Sequence, residues 1–216
     1  MALKQKFIVV DDHPVYRHGV AALVKQELHL EPVGEAGDIS EALVLLEREN
    51  PNLAIVDISL QGQNGLDLVK TIKTSYPRTY VLVVSMHEES LYGERAIKAG
   101  AKGYVMKNSD PSQLLSAVKN VIEGKIAVTE ELKDRLMGLI AGGNNNDDPV
   151  KKLSDRELEV FQLIGKGYGV TEIAEALRIS VKTVNAYKEN IKDKLNLGTA
   201  SDLRKYAVEW IVSNPV

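Results

Sequence analysis

The chain has 216 residues, 44% of them apolar and 26% charged, with a formal net charge of −3; that balance belongs to a globular protein of one large or two small domains and excludes wholesale disorder, a collagen-like repeat or a global coiled coil. The absence of cysteine excludes disulfides, thiol catalysis and Cys-based zinc sites. No apolar run is long enough to span a membrane, and the first one, Phe7–Val10, is too short for a signal peptide, so a cytoplasmic protein with no membrane partner is expected.

In chain order, the first half alternates short apolar runs with helical patterns. The runs are Phe7–Val10, a weaker one at Glu31–Ala36, Leu53–Val56, Tyr80–Val84 and Gly103–Met106. Continuous apolar runs suit strands buried on both faces of a parallel sheet. The helical patterns between them cover Val15–Glu27, Ile39–Asn50, Gly65–Ser75, Glu89–Ala99 and Pro111–Glu123. Asp38 with Glu41 three residues on, and Asp110 followed by Pro111, are helix-start signals. Five β-α units predict a doubly wound α/β domain. A short helix is expected from Thr129 to Ile140, with Leu132, Leu136, Leu139 and Ile140 on one side. Residues 141–149, AGGNNNDDP, lack apolar periodicity and read as a linker.

The remainder reads as all helix. Ser154-Asp155-Arg156-Glu157 is a capping box opening a helix to about Gly165, followed by helices near Thr171–Leu177, Val181–Leu195 and Ala200–Val212. The second and third, joined by Arg178-Ile179-Ser180, have the spacing of a helix-turn-helix. Charge divides the same way: residues 1–149 hold 16 Lys and Arg against 21 Asp and Glu, and residues 150–216 hold 11 against 9. The expected domains are 1–128, a linker with a short helix at 129–149, and 150–216.

Four of the strand runs end in polar residues: Asp11-Asp12, Asp57, Ser85 and Lys107. In an open parallel sheet the carboxyl ends of the strands face the ligand, so these five side chains are expected to converge. Clustered carboxylates repel unless a cation sits among them, and hard oxygen donors suit Mg²⁺. Asp57 can then attack phosphorus to form an acyl phosphate, with Lys107 and the Ser85 hydroxyl on the phosphoryl oxygens. A single strand-end aspartate is commonly only a cap or turn residue; the argument rests on the set. His87 is expected to be an exposed loop residue, and Gly93 a packing glycine.

This constellation resembles the receiver domain of two-component response regulators over residues 4–125. The resemblance implies a flavodoxin-like five-stranded parallel sheet, with Asp57 as phosphoacceptor and Asp11, Asp12, Asp57 and the Ser59 backbone carbonyl serving Mg²⁺. It also implies Ser85 as switch hydroxyl, Lys107 as its cationic companion, and Tyr104 as an aromatic that follows Ser85 inward on phosphorylation. Asn108 stands where many receivers carry proline.

On the Val181–Leu195 helix, Val184, Tyr187, Ile191 and Leu195 form an apolar stripe, and Asn185, Lys188, Glu189 and Lys192 form a polar face. Such a helix can enter a major groove, with Lys182, Lys188, Lys192 and Lys194 toward phosphates, Asn185 toward adenine and Glu189 toward cytosine. Leu153-Ser154-x-Arg156-Glu157-x-Glu159-Val160, Glu172-Ile173-Ala174-x-x-Leu177, Ser180-Val181-Lys182-Thr183-Val184 and Lys194-Leu195 resemble the LuxR-type DNA-binding domain over residues 150–212. Joined to a receiver, this makes the chain similar to the NarL/FixJ-family response regulators. The similarity implies Asn185, Ala186 and Glu189 toward bases and Lys182, Thr183, Lys188 and Lys192 toward phosphate. It further implies a sensor histidine kinase or small phosphodonor as partner, double-stranded DNA as target, and a homodimer on activation. The expected function is transcription regulation by phosphorylation at Asp57, with no enzymatic turnover beyond the chemistry of that aspartate. The alternatives are a module that binds another regulator, and a Mg²⁺-dependent aspartate-nucleophile phosphatase.

Overall fold

The computed structural model describes residues 4–60, 62–141 and 149–213. The core of the expected linker, residues 142–148, lies outside the described residues. The chain divides into two compact units, Met1–Gly138 and Leu139–Val216.

In the first unit, β1 (Lys6–Val10), β2 (Glu31–Ala36), β3 (Leu53–Asp57), β6 (Tyr80–Ser85) and β7 (Gly103–Met106) form one sheet. Its strands run in the order β2-β1-β3-β6-β7, and every pairing is parallel. Strands β1 and β3 lie side by side although the chain leaves for β2 between them, which is the switch point where ligands gather in such sheets. Helices α1 (Pro14–Leu28), α2 (Ile39–Glu49), α3 (Gly65–Ser75), α4 (Glu89–Ala99) and α5 (Pro111–Ile122) connect the strands.

Side chains alternate across the sheet with period two. Phe7, Val9, Leu53, Ile55, Leu82 and Val84 pack with Val20, Val24, Leu114, Val118 and Val121 of α1 and α5. Ile8, Val10, Ala54, Val56, Val81 and Val83 are equally buried on the opposite face. Burial on both faces explains why the strand runs are continuously apolar. Asp38 caps α2 by accepting from the Glu41 N–H, and Asp110 caps α5 by accepting from the Ser112 N–H.

Two features go beyond the sequence reading: a hairpin, and where the expected Thr129–Ile140 helix packs. Strands β4 (Ser59–Leu60) and β5 (Gln63–Asn64) form a small antiparallel hairpin directly after β3. Helix α6 (Glu130–Ile140), expected inside the linker, packs on α4. Leu132 is fully buried, and a β-carbon at Gly93 would stand 2.5 Å from its Cδ2, so Gly93 is the packing glycine that seats it. Thr129 hydrogen-bonds the Glu89 carboxylate, and Arg135 donates to the Ser90 carbonyl at 3.1 Å.

The second unit contains a 3₁₀ turn at Pro149–Lys152, then α7 (Asp155–Gly165), α8 (Val170–Leu177), α9 (Val181–Leu195) and α10 (Ala200–Ser213). The capping box at the start of α7 is formed: Ser154 Oγ accepts from the Glu157 N–H, and Glu157 Oε2 accepts from the Ser154 N–H at 2.6 Å. Phe161, Ile173, Val184, Ile191, Leu203 and Ala207 are buried between the helices, with Trp210 edge-on to Phe161.

Candidate phosphoacceptor pocket and nucleic-acid interface

The parallel pairing brings the strand ends together. Asp11 and Asp12 follow β1, Asp57 closes β3, Ser85 closes β6, and Lys107 follows β7. Asp11, Asp57 and Ser85 are buried, Asp12 is half-buried, and the Lys107 side chain is 6% exposed. The Lys107 ammonium lies 2.6 Å from Asp11 Oδ2 and 2.7 Å from Asp57 Oδ2. Asp57 Oδ1 accepts from the Ser59 N–H at 3.2 Å. Backbone contacts fix the carboxylates: Asp11 Oδ1 accepts from the His13 N–H at 2.8 Å, and Arg17 donates to the Asp11 carbonyl.

Burial pushes the Asp57 carboxyl up to about 6; the Lys107 ammonium opposes this without cancelling it. Burial works against the Lys107 ammonium too, but Asp57 and Asp11 outweigh it and raise its pKa above the usual lysine value. In formal charge the pocket holds three carboxylates against one ammonium.

That excess of two negative charges is what a divalent cation neutralises. One ligand atom each from Asp11, Asp12, His13 and Asp57 lies within 4.8 Å of the others. Receiver domains bind Mg²⁺ at such an acidic cluster, and the predominantly carboxylate donor set here fits a hard cation.

Ser85 Oγ accepts from the His87 N–H at 3.2 Å. Tyr104, read as the switch aromatic, is buried at 3% exposure. Its hydroxyl donates to the His87 carbonyl at 2.7 Å, and burial pushes its pKa up.

His87, expected to be an exposed loop residue, is half-buried, stacks on Tyr92 at 4.4 Å and pairs with Ser59 Oγ at 3.1 Å. Sequence reasoning also passed over Gly65, His13 and Tyr16. Gly65 opens α3 against the Asp57 backbone, and His13 Nδ1 is 2.8 Å from Asp12 Oδ1. Tyr16 lies over Lys107. The only local signal for any of them is proximity in sequence to Asp12 or Asp57.

On the second unit, Arg178 takes a left-handed conformation (φ 52°) that turns the chain between α8 and α9. Ser180 caps α9 by accepting from the Thr183 N–H at 3.0 Å. Lys182, Asn185, Ala186 and Glu189 are exposed, Thr183, Lys188 and Lys192 are half-buried, and Val184 and Ile191 face the core. Lys188 lines a cleft with Tyr168, Ile173 and Arg204. Two of these charged side chains have ion-pair partners within the unit. Lys194, expected toward phosphate, pairs its ammonium with Glu157 at 2.6 Å. Glu189, expected toward bases, is paired with Lys192 at 2.7 Å.

Comparison with known proteins follows the same division. The family described as response regulator receiver domain matches residues 7–119, and the luxR family of bacterial regulatory proteins matches residues 151–207. The chain is similar to the oxygen regulatory protein NreC of Staphylococcus epidermidis, with 38% identity covering 94% of this chain and 97% of that one. NreC of Staphylococcus aureus is 37% identical over the same shares. Among solved structures, RcsB from Salmonella enterica serovar Typhimurium, bound to promoter rprA in the presence of phosphomimetic BeF3-, aligns with a TM-score of 0.62. It shows 26% identity and covers 95% of this chain and 98% of its own.

Proposed function

The chain belongs to the response regulators that join a receiver domain to a LuxR-type DNA-binding domain, and we propose that within this family its switch is phosphorylation of Asp57. It acts in transcription regulation by two-component signalling. The family consists of transcription factors rather than enzymes, which sets aside the phosphatase reading. The residue two after Asp57 is Ser59, a hydroxyl where such hydrolases need a second acid.

The observation that carries the proposal is the Lys107 ammonium shared between Asp57 and Asp11 at the switch point of the sheet. In the step itself, an Asp57 carboxylate oxygen attacks the phosphorus of a phosphohistidine or a small phosphoramidate. The new P–O bond forms as the P–N bond breaks, and the leaving nitrogen takes a proton. Asp11, Asp12, Asp57 and the Ser59 backbone carbonyl are the residues to hold Mg²⁺, which when bound neutralises charge on the transferring group. Lys107 turns its ammonium to a phosphoryl oxygen, and Ser85 donates its hydroxyl to another. Ser85 is hydrogen-bonded to the His87 N–H, and Tyr104 to the His87 carbonyl. A shift of Ser85 therefore bears on the loop that leads into α4.

The proposed extents are a receiver at 1–128, a connection at 129–149 and a DNA-binding domain at 150–216. Asn185, Ala186 and Glu189 address bases, and Lys182, Thr183, Lys188 and Lys192 address phosphates. A phosphorylated homodimer on double-stranded DNA in the cytoplasm is the active form; RcsB has been solved as dimers bound to DNA, which supports that reading. The test is labelling with phosphoramidate and Mg²⁺, followed by footprinting on promoter DNA. Wild type takes up one phosphoryl group and gains DNA affinity. Equal labelling of Asp57→Asn, or affinity indifferent to the donor, overturns the proposal.

A further inference from the structure

Lys107 has a third neighbour besides its two carboxylates. Its ammonium lies 4.7 Å from the centroid of the Tyr16 ring, within cation–π range. Tyr16 sits on the first turn of α1, half-buried, and packs against the apolar cluster between the sheet and α1 and α5. The ring is thus locked by the core on one side and faces a charged group on the other.

An ammonium has three N–H donors. Two carboxylate oxygens lie within hydrogen-bonding distance of Lys107 Nζ. Any further anion would deepen a pocket that already carries excess negative charge. A π face attracts the cation with no formal charge, and the attraction is only weakly directional. It therefore tethers the ammonium while leaving it free to exchange Asp57 Oδ2 for a phosphoryl oxygen.

We propose that Tyr16 is a positioning residue for phosphoryl transfer: its ring holds the Lys107 ammonium at the reacting edge of Asp57. The inference rests on the phosphorylation of Asp57 proposed above. Removing the ring lets Lys107 sample other rotamers, so that fewer encounters with the donor find the cation in place.

The experiment uses the full chain with phosphoramidate and Mg²⁺, comparing wild type, Tyr16→Phe and Tyr16→Leu. The phosphorylation rate is followed over a range of donor concentrations, and the ε-methylene protons of Lys107 are followed by NMR before the donor is added. Tyr16→Leu slows the maximal rate roughly three- to thirtyfold, the range a single cation–π contact spans, with the half-saturating donor concentration unchanged. It also abolishes the upfield ring-current shift on Lys107. Tyr16→Phe retains both. If Tyr16→Leu does not fold, Tyr16→Met, unbranched and apolar, takes its place. A wild-type rate in the ring-less variant overturns the inference, as does a wild-type Lys107 without the ring-current shift. Failure of wild type to label at Asp57 would instead overturn the proposed function. The ring-current shift, read without donor, still decides whether the ring holds the ammonium.

Discussion

Gly65 lies against Asp57 so closely that a β-carbon on it would stand 1.8 Å from the Asp57 carbonyl oxygen. The Gly65 N–H donates to the Ile58 carbonyl at 2.7 Å, so the start of α3 is bonded to the segment just after the phosphoacceptor. The contact is with backbone, which cannot rotate away as a side chain can.

Gly65→Ala therefore has to displace β3 or α3. The expected outcome is a loss of stability of about 1–3 kcal/mol, the cost of overpacking, and a slower phosphorylation of Asp57. Urea unfolding and phosphoramidate labelling measure the two effects. A variant as stable and as readily labelled as wild type contradicts the close approach.

Asp57 makes the metal-free protein sensitive to pH. Its carboxyl is raised from 3.8 to about 6 in the fold, so the folded state binds the proton more tightly than the unfolded chain does. The stabilisation is fully present below about 3.8 and is lost as pH rises to about 6. The change amounts to roughly 3 kcal/mol. Urea midpoints in EDTA are expected to fall across this window, and Mg²⁺ at pH 7 to restore stability. Asp57→Asn flattens the curve; the same slope in that variant assigns the titration to another group.

Glu157 and Lys194 behave in the opposite sense. Burial alone would raise the Glu157 carboxyl, but Lys194 and Ser154 outweigh it and hold it below the usual glutamate value. Stability from this carboxylate is present above pH 4.5 and fades as acid protonates it in the fold. Glu157→Gln should cost about 1 kcal/mol, because the ion pair it breaks is with a Lys194 side chain that is itself 40% exposed, read from thermal melts of the full chain. Lys194→Met is expected to weaken the second unit through the same contact and to leave the salt slope of DNA binding unchanged. A reduced slope returns Lys194 to the phosphate-contacting set.

The α9 face separates position-reading from charge. Asn185→Ala is expected to relax preference at one base pair by about 1–3 kcal/mol, whereas Lys182→Ala weakens all sequences alike and lowers the salt slope by about one. Binding measured on a library of operators at two salt concentrations distinguishes the two. If both variants lose affinity uniformly, Asn185 does not read a base.

Much of the pocket was legible from residue order alone. Asp11, Asp57 and Ser85 stand at or just beyond strand runs whose continuous apolarity announces burial on both faces. The caps at Asp38, Asp110 and Ser154 were equally plain, because a cap is a bond to a backbone N–H two or three residues away. His87 was misjudged for the complementary reason: its partners Ser59 and Tyr92 are supplied by other elements.

The amino-acid order by itself determined the alternation of strands and helices, the helix-turn-helix spacing and the set of polar residues at the strand ends. Each of these follows from periodicity and local hydrogen bonding, which a residue settles with its near neighbours. Tertiary structure alone decided that Tyr16 meets Lys107 across 91 positions, that Lys194 turns inward to Glu157, and that α6 lies on α4 through Leu132 and Gly93. Those pairings depend on which strands lie side by side and how helices cross, and the free energy that selects them is a property of the packed whole.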